Sequence, residues 1–257
     1  MKKRIDQLLV EQGIAESRHK AQALLLAGQV LVNEQKILKP GQTVNEESEI
    51  RLLDVLPFAS RAGGKLQAAL DHFRIGVSGR VCADLGASTG GFTDCLIQNG
   101  ARRVFAYDVG KGQLAWKLRG DARVVVIDEF NVRNITARDL PEGISLVTAD
   151  LSFISLTKVL IPLRDALLAR IALDAEPADR QPVDLLLLVK PQFEVGKGEV
   201  GKGGIVRDPE KRRIAVDAVE QFACDNRYAV SGCISSPILG TKGNEEFLLH
   251  LQLLPDL

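Results

Sequence analysis

Several things are scarce in this chain, and each scarcity excludes something. Aromatic residues make up 5% of the 257 positions, so nucleobase stacking on aromatic platforms is not expected to dominate any nucleic-acid contact. The four cysteines, Cys82, Cys95, Cys224 and Cys233, are far apart and form no C-x-x-C. That spacing excludes a disulfide framework and a zinc site. His19, His72 and His250 show no ligand spacing, so no metal is expected. Net charge is zero, with 33 basic and 33 acidic side chains. Bulk charge therefore gives no reason to expect a nucleic-acid partner, and only local distribution can. The strongest apolar run, Leu185 to Val189, is far too short to cross a bilayer. The basic start M-K-K-R-I-D meets Asp6, Glu11 and Gln12 before any apolar core develops, unlike a signal peptide. A cytoplasmic, reduced protein with no membrane partner is expected.

What is present is an ordinary globular composition, 46% hydrophobic and 26% charged, in a chain long enough for more than one domain. Residues 1–39 carry seven Lys/Arg against four Asp/Glu, whereas 40–54 carry four acids and one Arg. Ile5, Leu8, Leu9, Ala21, Leu24 and Leu25 recur at helical spacing. Gly13 ends the first helix, Ser17 caps the second, and Gly28 closes it. Residues 30–33 and 49–52 alternate as short strands around a Lys39-Pro40-Gly41 turn. This predicts a small α+β domain over 1–54, a linker over 55–60 and a second domain over 61–257. A helix is expected over 66–73. In the second domain, strands are expected over 80–84, 103–107, 123–127, 144–150 and 184–190, with helices over 91–99, 112–118, 155–170 and 209–225. Strands over 228–235 and 246–253 follow. That alternation predicts a mostly parallel, doubly wound α/β sheet. Residues 173–182 are expected to be a surface insertion.

The most telling segment is D-L-G-A-S-T-G-G-F-T, 84–93. An apolar strand runs into an acid, a glycine-rich turn and a helix start, an arrangement that receives a small polar ligand. Asp108 lies 24 residues after Asp84, the spacing of an acid that accepts ribose hydroxyls. The loop lacks the G-x-G-x-x-G of a pyrophosphate site, and Asp84 at its entrance suits a cationic ligand bearing an amino acid. Asp128, ending the third strand, is a candidate for an adenine amino group. Lys190 directly follows a buried apolar run, which is costly without a partner or a task. Asp150 ends the neighbouring strand. G-K-G-E-V-G-K-G, 196–203, nearly spells a P-loop, but glycine replaces the hydroxyl residue that would hold Mg²⁺. A basic, glycine-rich lid is the expectation there.

These segments carry a resemblance. R-I-D-Q-L-L, A-E-S-R-H-K-A-Q, A-G-Q-V-L-V-N and K-P-G-Q-T-V resemble the S-four-type RNA-binding domain first seen in a ribosomal protein. The rest resembles the FtsJ-like 2′-O-ribose methyltransferases, a Rossmann-like fold dependent on S-adenosylmethionine. The combination resembles the TlyA family of rRNA methyltransferases, also called hemolysin A, through S-R-A-G-G-K-L, A-D-L-S-F-I-S-L, V-K-P-Q-F-E and G-N-E-E-F. The resemblance implies a Lys-Asp-Lys-Glu tetrad on Lys65, Asp150, Lys190 and Glu246, with Glu245 adjacent to the last. It implies cofactor contacts at Asp84, Gly86, Ser88, Gly90, Gly91, Asp108 and Asp128. Ribosomal RNA, or a ribosomal subunit, is the implied partner, with a cytidine as target. Arg4, Arg18, Lys20 and Lys36 are the candidate phosphate contacts. Where the chain starts and ends resembles the shorter subtype, which favours large-subunit rRNA. Lys190, neutral at the moment of transfer, would accept the 2′-hydroxyl proton or orient its lone pair, with Asp150 and Glu246 orienting the amines. Rival readings are a cytolysin, a catalytically inactive RNA-binding protein and a pseudouridine synthase. The first lacks a membrane-spanning segment, and the intact glycine loop argues against the other two.

Overall fold

The computed structural model describes residues 1–26, 28–52, 57–174, 181–196, 198–201 and 203–254. Contacts divide the chain into two compact units, Met1–Leu56 and Pro57–Leu257. Residues 55–56 of the expected linker and 175–180 of the expected insertion fall outside the described residues, as do Lys197 and Lys202 of the glycine-rich segment.

The first unit runs β1 (Lys2–Arg4), α1 (Ile5–Glu11), α2 (Arg18–Leu26), β2 (Val30–Val32), β3 (Gln35–Lys36), β4 (Thr43–Asn45) and β5 (Ile50–Leu52). The two helices bury Ile5, Leu8, Leu9, Ala21 and Leu25 against Val30, Val32 and Val44. The Ser17 hydroxyl accepts the Lys20 amide proton at 3.2 Å, fixing the start of α2. β2 is the centre of a three-stranded antiparallel sheet between β3 and β5, while β1 pairs with β4. Strands β1, β3 and β4 were not expected. Each is two or three residues long, too short for alternation to register, and each exists through its partner.

The second unit contains α3 (Ala62–Phe73), β6 (Val81–Leu85), α4 (Gly91–Gln98), β7 (Arg103–Tyr107), α5 (Trp116–Arg119), β8 (Val124–Ile127), β9 (Ile144–Ala149), α6 (Thr157–Asp174), β10 (Val183–Val189), α7 (Pro191–Glu194), α8 (Pro209–Asp225), β11 (Tyr228–Ser235) and β12 (Phe247–Leu253). They build one seven-stranded sheet of order β11-β12-β10-β9-β6-β7-β8. Only β12 runs against its neighbours, so the sheet is mostly parallel and wound from both sides, as expected. The apolar run in β10 shows why. Leu185, Leu187 and Val189 enter the core on one face, Leu186 and Leu188 the core on the other. A strand covered on both faces has no polar positions to alternate. Chain order reverses at β6, which lies between β7 and β9, and ligands bind at such a switch point beyond the carboxyl ends of the strands.

The helix expected over 112–118 is shorter, only Trp116–Arg119. The Asp108 and Asp128 carboxylates accept the amide protons of Gly110 and Gly112 at 2.7 and 3.0 Å, and Gly112 has φ +70°. These side-chain bonds hold the segment as a loop. At the end of the P-loop-like stretch Gly201 pairs with Ile205 in an isolated antiparallel bridge, and the next helix, α8, begins only at Pro209. Among the described residues no helix is long and apolar enough to cross a membrane.

Candidate active site

Register brings the ends of four parallel strands together. Leu85 pairs with both Tyr107 and Ala149, and Ala149 with Leu187. The residues that follow, Gly86, Asp108, Asp150 and Lys190, therefore meet at one edge of the sheet. Gly86 has φ +84°, and a Cβ there would lie 2.7 Å from the Asp150 carbonyl oxygen, so only glycine fits.

A cavity of about 900 Å³ opens here, walled by Gly86, Ser88, Asp108, Asn131, Asp150 and Phe193 among others. One Asp108 oxygen accepts the Ser88 amide at 2.7 Å and the other accepts Gly110 at 2.7 Å. Those bonds fix the carboxylate and leave further lone pairs for a ligand's hydroxyls. Gly90 and Gly91 open α4. The first packs against Leu114 and Leu118 and shapes the loop; the second walls a small cavity with Ser60, Gly86 and Ser88.

Two expected contacts are corrected. Asp84 does not line the large cavity. It is wholly buried below the turn, where its oxygens accept the hydroxyls of Thr93 at 2.6 Å and Thr148 at 3.0 Å. Burial pushes its carboxyl group up to about 6, against those two hydrogen bonds. Asp128 is engaged by the Gly112 amide and by Arg119, each at 3.0 Å. These bonds, the amide first, hold it below the usual carboxylate range, and it too stays off the cavity wall. Gln113, Phe130 and Asn131 line that wall instead. None belongs to an acid-at-strand-end pattern, so the sequence pointed past them.

A second cavity, about 280 Å³, shares Gly86, Ser88, Asp150 and Ser152 with the first. Lys65, Asp150, Lys190 and Glu246 all line it. Lys190 Nζ lies 2.7 Å from Asp150 Oδ1 and donates to Ser152 Oγ at 2.9 Å. Lys65 Nζ lies 2.5 Å from Glu246 Oε2, and Gln192 donates to Glu246 Oε1 at 3.4 Å. Of the two adjacent acids, Glu246 enters the cavity, whereas Glu245 pairs with Arg212 at 2.8 Å. The Glu194 carboxylate accepts the Ser155 hydroxyl at 2.6 Å and the Leu156 amide at 2.9 Å. It thereby ties the segment after Asp150 to the segment after Lys190, and burial raises its pKa. Phe153, 91% exposed with φ +64°, stands over Phe193 at 5.1 Å. Ser152, Gln192 and Glu194 were not singled out from the sequence. A polar residue beside a strand end has no periodicity to betray it.

The first unit holds its own cluster. Asp6 is wholly buried, accepting Arg4 Nε and Nη2 at 3.0 Å each, Arg18 Nε at 3.0 Å and Gln22 at 3.1 Å. The Arg4 guanidinium, foremost, holds its carboxyl well below the usual range. Arg4 and Arg18 are thus pinned at the surface by a common anion. Lys20 and Lys36 are exposed.

Residues 58–253 match the FtsJ-like methyltransferase family and residues 3–50 match the S4 domain; the class is a methyltransferase carrying an S4 domain. The 16S/23S rRNA (cytidine-2'-O)-methyltransferase TlyA of Mycobacterium tuberculosis is 43% identical over 98% of this chain and 91% of its own length. Hemolysin A of Brachyspira hyodysenteriae is 39% identical over 96% and 98%. A solved chain from Streptococcus thermophilus is 38% identical, covers 99% of this chain and 92% of its own, and superposes with a TM-score of 0.72. The chain belongs to the TlyA family of FtsJ-like methyltransferases.

Proposed function

We propose that this protein methylates the 2′-hydroxyl of a ribose in ribosomal RNA, a cytidine by likeness to the M. tuberculosis relative, in the cytoplasm and with S-adenosylmethionine as donor. One observation carries the reading: a buried amine, Lys190, paired with Asp150 on a cavity that shares walls with a larger cleft at the switch point.

The residues of that cleft suit the donor. Asp108 presents fixed acceptors for ribose hydroxyls, Gly86 gives a cradle that a Cβ would fill, and Ser88 and Gly91 border the loop where an amino-acid moiety would lie. S-adenosylmethionine, when bound, supplies an electrophilic methyl group and leaves as a neutral thioether. Asp84 acts from behind the wall, setting the turn through Thr93 and Thr148.

Lys190 faces the incoming 2′-hydroxyl. Asp150 and Ser152 hold its Nζ on two sides and leave the third direction for the substrate oxygen. In its neutral form the amine accepts the hydroxyl proton; as an ammonium it orients the oxygen. Lys65 and Glu246 fix the opposite wall. The acceleration comes mainly from alignment of the reacting atoms. Residues 1–54 supply RNA affinity, with Arg4, Arg18, Lys20 and Lys36 on phosphates; residues 55–60 link to the transferase over 61–257.

The test is transfer of labelled methyl groups from S-adenosylmethionine to naked rRNA, separate subunits and whole ribosomes. Transfer by the wild type and its loss in Lys190→Ala support the reading. Liposome leakage without any transfer would favour a cytolysin instead.

A further inference from the structure

The tetrad cancels itself electrically. Lys65 is matched by Glu246 at 2.5 Å and Lys190 by Asp150 at 2.7 Å. The small cavity still has one charge left over. Arg61 lines it and is exposed. Among the described residues its guanidinium makes no ion pair or hydrogen bond. Arg61 is the N-cap residue of α3, and Lys65 lies four positions on, so both project from one face of the helix. A cation with no counter-charge thus stands one helical turn from a neutral ion-pair set.

The proposed substrate supplies the missing anion. In RNA the 2′-hydroxyl is vicinal to the 3′-oxygen, which carries the phosphodiester. That phosphate is the formal charge of the strand nearest the reacting atom. Whatever seats the hydroxyl at Lys190 must bring this phosphate to the rim of the same cavity. A guanidinium matches two phosphate oxygens at once, in a plane, where an ammonium gives a point charge.

We infer that Arg61 receives the 3′-phosphodiester of the nucleotide being methylated. The inference rests on reading the small cavity as the ribose site. It has two consequences. Strand polarity in the site is set, and an internal nucleotide is preferred over a 3′-terminal one that lacks the phosphate.

The experiment uses the full chain as wild type, Arg61→Met and Arg61→Lys. Three quantities are read: rRNA affinity across a salt series, S-adenosylmethionine affinity by calorimetry, and the KM and kcat of methyl transfer. For Arg61→Met, rRNA affinity falls about tenfold at low salt and the slope of log affinity against log salt shrinks by about one. KM for rRNA rises, and cofactor affinity stays at the wild-type value. Arg61→Lys restores the slope and recovers only part of the KM. An unchanged slope and KM in Arg61→Met, with the wild type active, would overturn the inference. So would a drop in cofactor affinity at constant slope, which would assign Arg61 to the cofactor's carboxylate. Absence of RNA methylation by the wild type would instead remove the reading of the cavity itself.

Discussion

Two aspartates, one in each unit, are both wholly buried and behave in opposite ways. Asp6 sits among two guanidinium groups and an amide and stays ionised far below the ordinary range. Asp84 sits among two threonine hydroxyls, and burial lifts it to about 6. Both are sealed from solvent, but Asp6 lies just beneath the half-exposed Arg4 and Arg18 while Asp84 lies deep in the sheet, so desolvation and partner charge together set them apart. In the first unit the buried anion organises cations at a surface suited to a polyanion. In the second it underpins the turn that borders the large cavity.

Substitutions can break or sharpen that contrast. The largest effect belongs to chemistry alone. Lys190→Ala should lower methyl transfer by about 10³-fold while rRNA binding and the pH-stability profile, which belong to the two aspartates, stay put; filter binding and a labelled-transfer assay separate them. Next is Asp6→Asn, expected to destabilise the first unit at neutral pH because Arg4, Arg18 and Gln22 lose their shared anion, read as faster amide exchange within residues 1–52. Because the folded-state pKa of Asp6 lies below its unfolded value, its contribution is present above the unfolded pKa of 3.8 and fades as pH falls below it. The gap between mutant and wild type should therefore close in acid.

Asp84→Asn should be smaller and opposite in pH sense. Native Asp84 holds its proton up to about 6, whereas the unfolded chain releases it near 3.8. Through that window the wild type loses stability as pH rises, by about 2 kcal/mol, and the asparagine variant should show a flatter curve in chemical denaturation. Smallest are Lys20→Ala and Lys36→Ala, each reducing the salt slope of rRNA binding by about one without changing which rRNA is preferred.

What was legible in the sequence follows from the same physics. Lys190 announced itself because an amine after five buried apolar residues, Leu185 to Val189, demands an explanation. The sheet was legible because helices and long strands leave periodic traces. Lys65 and Glu246 were named only through family resemblance, since nothing in either neighbourhood shows that residues 181 positions apart will pair. Asp84 and Asp128 were read correctly as strand-end acids and wrongly as cavity contacts. Asp84 lies inside β6, where the pleat turns it to the same face as Cys82 and away from the cleft, and Asp128 is taken up by the Gly112 amide and Arg119. The Asp6 cluster escaped notice because its arginines were read as free cations, and only the fold shows the acid between them.

The central claim is that Lys190 serves a ribose oxygen, and one measurement reaches it directly. rRNA methylated by the wild-type protein with labelled S-adenosylmethionine is hydrolysed in alkali, which cannot cleave beside a 2′-O-methylated ribose. The account predicts the label in an alkali-stable dinucleotide, and its disappearance with Lys190→Ala. Label recovered on a base in mononucleotides, or undiminished in Lys190→Ala, would contradict it.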